Sequence, residues 1–266
     1  MTIKILNLHA GIGGNRKGWI GKDVEVTAIE YNQEIANVYQ KWYPQDKVIV
    51  ADAGEYLAKH YEEFDFIWAS PSCVTHSAIR FMASKSKTNR KYDAKMPNME
   101  LYSFIVFLQK FFDGKWVVEN VKPYYTPLIQ PTEELGRHLI WSNFEFEKKD
   151  FKDSHIKHLK VTGKSVKYGI SLDGIKLKHR KDQIIRNCVN PEISKFLLEQ
   201  AFSEQSHKSH TLASPTFPTE KAINISLKDN SNELSQISSK DETSLNNNIM
   251  FNKVSHLHAG CNITRR

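Results

Sequence analysis

The stretch that decides the fold is IKILNLHAGIGG, residues 3–14, an apolar run that ends in a glycine-rich turn. The run shows little polar alternation, which is typical of a strand buried on both faces. Gly11, Gly13 and Gly14 allow the chain to turn tightly and to approach a ligand, and a helix after the turn would offer free N–H groups. The stretch therefore predicts a strand, a ligand-binding turn and a helix. A tight turn without a ligand is the alternative.

Similar apolar runs alternate with amphipathic stretches through the first half of the chain. Strands are predicted at 24–30, 47–52, 64–70 and 115–120, and helices at 32–43, 53–64 and 99–112. This alternation favours an α/β fold with a doubly wound, mostly parallel sheet and helices on both faces. Ligands bind such sheets at the carboxyl ends of the strands, so the residues after each apolar run are the informative ones.

Four of these strand ends carry chemically useful side chains. Glu30 and Asp52 end the second and third strands; each alone is a common helix cap or solvated charge, but with the glycine turn they predict a nucleoside pocket. Cys73 lies in a proline-containing loop after the fourth strand, where it is either a nucleophile or an inert small residue. Glu119 ends the fifth strand, where partial desolvation suits a general acid, although a capping or ion-paired acid fits as well.

The net charge of +7 is concentrated in one segment. Residues 142–186 contain twelve Lys or Arg and six acidic residues, and the rest of the chain is nearly balanced. Residues 204–266 include LKDNSNELSQISSKDETSLNNN, whose polar composition predicts a disordered tail. The location of the charge points to a nucleic-acid partner for 142–186.

Several classes of protein are excluded by composition. No apolar run is long enough to span a membrane, and the N-terminus lacks the pattern of a signal peptide. The three cysteines, Cys73, Cys188 and Cys261, are too few for a disulfide framework or a cysteine-rich zinc site, and no metal is expected. The expected location is a reducing cytosol.

The order of these signals resembles that of the cytosine-C5 DNA methyltransferases. The shared pattern is LHAGIGG, an acid after the second strand, VADA (50–53), a Pro-x-Cys loop and then Glu-Asn-Val (119–121). RNCVNP (186–191) followed by EISKFLLEQAF (192–202) resembles the last motif of the family, whose helix packs beside the first strand. GRH (136–138) stands at the place of a short Arg-rich strand in the family. The sequence departs from the family pattern at Ser72, which replaces a second proline, and at Val74, which replaces a common glutamine.

This resemblance implies S-adenosyl-L-methionine as the cofactor and a Rossmann-like fold. The implied cofactor-binding residues are Ala10, Gly11, Ile12, Gly13, Gly14, Glu30, Tyr31, Asp52, Ala53, Pro71, Asn187 and Val189. The implied catalytic residues are Cys73 as nucleophile, Glu119 at cytosine N3 and Arg137 at the cytosine O2 side. A base inside a duplex must be flipped out to reach such groups.

The resemblance also implies a division of the chain and a partner. The expected parts are a catalytic core at 1–141, a small basic target-recognition segment at 142–186, a returning C-terminal helix at 187–203 and the tail at 204–266. Double-stranded DNA is the expected partner, together with a cognate restriction endonuclease or a partner chain that assists recognition. The expected nucleic-acid-binding residues are Arg80, Lys85, Lys87, Arg90, Lys91, Lys148, Lys149, Lys160 and Lys164.

Two alternatives stay open. The short recognition segment also suits the same chemistry on a structured RNA such as tRNA. A DNA-binding protein that retains the fold without activity would also fit the changes at Ser72 and in the Arg strand.

Overall fold

The computed structural model describes residues 1–86, 93–151, 166–172 and 174–203. The predictions for Lys87, Arg90, Lys91, Lys160 and Lys164 lie outside these residues, as does the prediction for 204–266. Within the described ranges, no helix has the length and apolar character that crossing a membrane requires.

The described elements alternate as the sequence predicts. The strands are β1 (Ile3–Leu8), β2 (Val24–Ile29), β3 (Lys47–Ile49), β4 (Phe66–Ala69), β5 (Lys115–Val121), β6 (Glu133–Leu135), β7 (His138–Ser142), β8 (Val166–Lys167) and β9 (Ile170–Ser171). The α-helices are α1 (Gln33–Trp42), α2 (Ala53–His60), α3 (Ala78–Lys85), α4 (Glu100–Phe111), α5 (Lys181–Arg186) and α6 (Pro191–Ala201).

Seven of the described strands form one sheet in the order β3-β2-β1-β4-β5-β7-β6. The strands from β3 to β5 are parallel, whereas β7 is antiparallel to both β5 and β6. The chain runs outward from β1 to β3 and then returns to β4 on the other side of β1. This reversal opens a crevice at the carboxyl ends of β1 and β4, where ligands bind in doubly wound folds. The predicted fold class, a Rossmann-like methyltransferase sheet, is confirmed.

Helices cover both faces of the sheet, and α4 and α6 each bury an apolar stripe against it. In α4, Leu101, Ile105 and Leu108 are buried at helical spacing and pack with Trp116 of β5. On the opposite face, α6 packs against the sheet in a second cluster that includes Ile5 of β1. The side chains of Trp68, Trp116 and Trp141 are buried in these two clusters.

The prediction of a helix that begins directly after the glycine turn and offers free N–H groups is wrong. The chain instead forms a four-residue 3₁₀ helix, Arg16–Trp19, whose first N–H donates to the side chain of Asn15. Its tight path follows from Gly18, because a Cβ atom there would lie 2.2 Å from the carbonyl oxygen of Pro191 in α6. The turn is thus held against the returning helix rather than capped by a long helix of its own.

The described ends of the basic segment pack on the core. Phe144 and Phe151 join the cluster of α6, while Ile170 and Leu172 pack with Ile12 beside the glycine turn. These contacts attach the hairpin β8–β9 and helix α5 next to the crevice. The role of 142–186 in recognition stays a prediction.

Candidate active site

A cavity of about 610 Å³ opens at the carboxyl ends of β1, β4 and β5. Its volume lies in the range of small-molecule sites, roughly 300–1,000 Å³. The glycine turn after β1 forms one wall, and the cysteine loop after β4 and the end of β5 form another. Arg137 and the chain from α5 to Val189 close the remaining side. Three of the four side chains predicted at strand ends therefore lie in the same cavity; these are Glu30, Cys73 and Glu119.

The glycine turn brings the backbone close to two other segments. A Cβ atom on Gly14 would lie 2.9 Å from the Cβ of Cys188 and 3.0 Å from the nitrogen of Val189. Gly11 has a φ of +56°, and a Cβ atom there would meet nothing within 4 Å. The turn is therefore packed tightly against the chain before α6 and leaves open space on the side of Gly11.

Glu30 holds the turn in place. One carboxylate oxygen accepts a hydrogen bond from the Gly11 N–H at 2.9 Å, and the other accepts from the Asn32 N–H at 2.9 Å. Each oxygen retains a further lone pair, so the carboxylate that orders the turn can also accept from a ligand hydroxyl.

Eight of the predicted cofactor residues line the cavity: Ala10, Gly11, Ile12, Gly14, Glu30, Pro71, Asn187 and Val189. The other four lie outside its lining for identifiable reasons. Gly13 faces the opposite side, where its carbonyl accepts from the Tyr43 hydroxyl. The Tyr31 side chain is 79% exposed. Asp52 caps α2 by accepting from the Glu55 N–H, and Ala53 is buried in the core.

The cysteine loop is fixed by backbone hydrogen bonds. The N–H groups of His76 and Ser77 donate to the Cys73 carbonyl at 3.1 and 3.0 Å. The Asn120 side-chain amide donates to the Pro71 carbonyl at 2.9 Å and ties the loop to β5. Cys73 is half-buried and faces the cavity.

The electrostatic surroundings of Cys73 connect it to the other predicted catalytic residues. Burial raises the pKa of the Cys73 thiol, and the Glu119 carboxylate raises it further. A backbone hydrogen bond and the Arg137 guanidinium act in the opposite direction. Glu119 and Arg137 are therefore close enough to Cys73 to influence its charge.

Glu119 is buried on β5, and Arg137 lies at the turn before β7. The Arg137 Nη2 donates to the Arg186 carbonyl at 3.0 Å, so α5 orients this guanidinium group. His138, which the sequence analysis did not single out, places its Nε2 3.5 Å from the Glu119 Oε1. Its position directly after Arg137 was the available signal, but a single histidine in a strand is more often a core residue.

The described basic residues lie in two places. Arg80 and Lys85 belong to α3, none of whose residues is buried, and Lys85 lies over the Phe81 ring. Lys148 pairs with Glu133 at 3.5 Å, and Lys149 lies over the rings of Phe151 and Phe196. Their contact with nucleic acid stays a prediction.

The order of the sheet and the cavity at the carboxyl ends of its strands match the Rossmann-like fold of the S-adenosylmethionine-dependent methyltransferases. Residues 3–126 match the family model described as C-5 cytosine-specific DNA methylase. The resemblance to cytosine-C5 DNA methyltransferases is thereby confirmed over this part of the chain. No curated protein matches the sequence.

Solved structures with similar folds include three methyltransferases. A prophage-encoded Escherichia coli protein described as a DNA modification methyltransferase is 15% identical, with a TM-score of 0.33, over 47% of this chain and 34% of that one. A mutant of Spodoptera frugiperda DNMT2 is 26% identical, with a TM-score of 0.31, over 46% of this chain and 36% of that one. An Agrobacterium tumefaciens SAM-dependent methyltransferase is 11% identical, with a TM-score of 0.35, over 47% of this chain and 41% of that one. The chain spans about a third of the length of the first two.

Proposed function

We propose that this protein transfers a methyl group from S-adenosyl-L-methionine to C5 of a flipped-out cytosine in DNA, through a covalent adduct of Cys73. The observation that carries the proposal is the meeting of Cys73, Glu119 and Arg137 in the cavity that the glycine turn also lines. A nucleophile, an acid and a cation beside a cofactor-sized space are the parts that this reaction needs.

The space and the donor chemistry of the cavity support S-adenosyl-L-methionine as the cofactor. The open space beside Gly11 is a cradle that any side chain at this position would fill. Glu30 supplies carboxylate oxygens for a ribose, and Asn187 and Val189 close the same cavity. When bound, the cofactor supplies the electrophilic methyl group.

The residues of this chain would activate the base. Cytosine C5 is a poor nucleophile until a thiolate adds to C6, which is the role of Cys73. Glu119 would donate a proton at N3 during this addition, and Arg137 would stabilise charge that develops at O2. The pKa of the Cys73 thiol is raised in the free protein, so the bound base and Arg137 must favour the thiolate for reaction at neutral pH.

The substrate is proposed to be double-stranded DNA read by residues 142–186, with α3 facing the backbone. The matched family supports DNA, and the excess positive charge of this segment suits a polyanion. Changing Lys148, Lys149, Lys160 and Lys164 together should weaken DNA binding and reduce its salt dependence without altering cofactor affinity. Unchanged binding would place the DNA surface elsewhere.

The decisive experiment uses tritiated S-adenosyl-L-methionine with unmethylated DNA and, separately, total tRNA. We expect label in DNA that depends on Cys73, with C73A inactive but still able to bind S-adenosylhomocysteine. DNA containing 5-fluorocytosine should form a covalent complex with the native protein and none with C73A. Label in tRNA alone would identify an RNA substrate, and DNA binding without any label would identify an inactive homologue.

A further inference from the structure

His138 lines the cavity beside Glu119 but has no role in the reaction outlined above. The Nε2 of His138 lies 3.5 Å from the Oε1 of Glu119, and their side chains are only 5% and 6% exposed. In the antiparallel register of β5 and β7, His138 stands opposite Val121 and Ile140 stands opposite Glu119. His138 and Glu119 are thus diagonal neighbours on the same face of the sheet.

The proposed chemistry gives this pair a task. Glu119 must carry a proton to donate it to cytosine N3, yet an isolated carboxyl group is ionised at neutral pH. Imidazole gains and loses a proton near neutral pH. A carboxylate and an imidazole in contact titrate as one unit, which can retain a shared proton at pH values where a lone carboxyl group has lost it.

The cavity offers no other imidazole against Glu119 among its described lining residues. The remaining titratable or charged lining residues are His9, Glu30, Cys73, Lys122, Arg137, Arg186 and Cys188. His9 is directed at Glu100, with 3.1 Å between the Nε2 and Oε1 atoms, and Lys122 is paired with Glu134. Arginine and lysine are permanently charged at neutral pH and do not act as proton reservoirs there.

We propose that His138 is a positioning residue that keeps a proton on the Glu119–His138 pair for delivery to the target base. This inference rests on the proposed function. Before the reaction the shared proton is on the Nε2 of His138 and Glu119 is a carboxylate. When the Cys73 thiolate adds to C6, the Nε2–H bond breaks as this proton passes to Glu119, and the O–H bond so formed breaks as the N3–H bond forms, which leaves a neutral imidazole and a carboxylate.

Release of the product reverses these transfers. The C5 proton departs to water, the bond between Cys73 and C6 breaks, and the proton at N3 returns to Glu119 and then to His138. The pair therefore ends each cycle in its starting protonation state, and no further reactant is required.

The first test needs no activity. The imidazole nitrogens of His138 are followed by ¹⁵N NMR against pH in the native protein and in Glu119→Gln, with the signal assigned by its loss in His138→Asn. Loss of the carboxylate should lower the titration midpoint of His138 by about one pH unit, because a nearby negative charge favours imidazolium. An unchanged midpoint would overturn the proposal even if every variant were active.

The second test compares kcat against pH for the native protein, His138→Asn and His138→Gln. An amide can fill the site and accept a hydrogen bond but cannot store a proton. In both variants the fall of kcat on the alkaline side of the profile should therefore begin at a lower pH than in the native protein. At pH 8, kcat should be reduced at least about 10-fold. The KM for DNA and the affinity for S-adenosylhomocysteine should change less than about two-fold, since neither depends on the stored proton.

A matched control is available at the surface. His60 contacts Glu63 at 2.6 Å, but both side chains are substantially exposed and neither lines the cavity. His60→Asn should leave the pH profile unchanged. Rescue of the native profile by either amide variant would show that His138 has only a structural role.

Failure of the inference and failure of the proposed function are distinguishable. A native protein that labels DNA with the same pH profile as His138→Asn would refute the inference alone. A native protein that labels neither DNA nor tRNA would refute the proposed function, and with it the proton delivery that depends on it.

Discussion

The buried ion pair behind the glycine turn should contribute strongly to stability. The Arg16 Nε lies 2.6 Å from one Asp46 oxygen, Nη2 lies 3.0 Å from the other, and the two side chains are 5% and 2% exposed. The Tyr39 hydroxyl also donates to Asp46 at 2.8 Å. Asp46→Asn removes the negative charge and leaves the Arg16 guanidinium buried without a carboxylate. Breaking one side of such a pair costs about 3–5 kcal/mol.

That loss is large compared with the stability of a domain, which is about 5–15 kcal/mol in total. For a domain of this size each kcal/mol corresponds to roughly 2–4 °C, so Asp46→Asn should lower Tm by roughly 6–20 °C. Urea unfolding followed by tryptophan fluorescence at pH 7 measures the free energy of unfolding directly. Because Arg16 lies two residues after Gly14 of the glycine turn, loss of the ion pair should also lower the affinity for S-adenosylhomocysteine.

An exposed pair of similar length provides the control. The Lys22 Nζ lies 2.7 Å from the Glu199 Oε1, but the side chains are 37% and 44% exposed. Glu199→Gln should cost under about 1 kcal/mol, because water screens the charges and solvates the remaining lysine. If Asp46→Asn costs no more than Glu199→Gln, burial does not control the strength of the pair and the reasoning is refuted. The double variant with Arg16→Met should recover part of the loss, since no unpaired charge remains.

Two further predictions concern the cavity. The rate of Cys73 alkylation by iodoacetamide should have a pH midpoint above that of an ordinary thiol, because burial and Glu119 raise the pKa of Cys73. Glu119→Gln should move this midpoint to lower pH. An upward shift, or none, would contradict the prediction. Gly14→Ala should reduce S-adenosylhomocysteine affinity at least about 10-fold in calorimetry and cost about 1–3 kcal/mol, because its Cβ would meet Cys188 at 2.9 Å. Gly54→Ala, within α2 where the nearest atom would lie at 3.3 Å, should leave affinity unchanged and serves as the control.

The parallel half of the sheet could be predicted because its sequence signals are local. Each buried strand is a short apolar run, and β1, β2, β4 and β5 all lie within or close to the predicted ranges. The prediction of 47–52 as a strand is too long, because Asp52 turns the chain by capping α2 and β3 ends at Ile49. The 3₁₀ helix after the glycine turn could not be predicted, since contact with α6, distant in sequence, shapes it.

The candidate site likewise contains residues that could be predicted from local sequence signals and one that could not. Cys73 and Glu119 could be singled out because a parallel sheet collects the carboxyl ends of its strands at one edge. The antiparallel β7 brings in side chains from its amino end, and its register against β5 decides which of them face the cavity. That register is a tertiary property, so the neighbour of Glu119 could not be identified from the order of residues along the chain.

At Ser72 the family has a second proline, and hydrogen bonds in this structure can hold the cysteine loop without it. A proline would stiffen the chain by fixing φ, whereas here the carbonyls of Pro71 and Cys73 are both bound by donors from other residues. His76 is part of this arrangement: its Nδ1 contacts the Tyr125 hydroxyl at 2.5 Å, and its carbonyl accepts from the Tyr124 N–H. Burial lowers the pKa of His76, which favours a neutral ring at physiological pH. Stiffness can therefore come from hydrogen bonds between the cysteine loop and the chain after β5, and the loss of one proline does not by itself argue against a reactive cysteine.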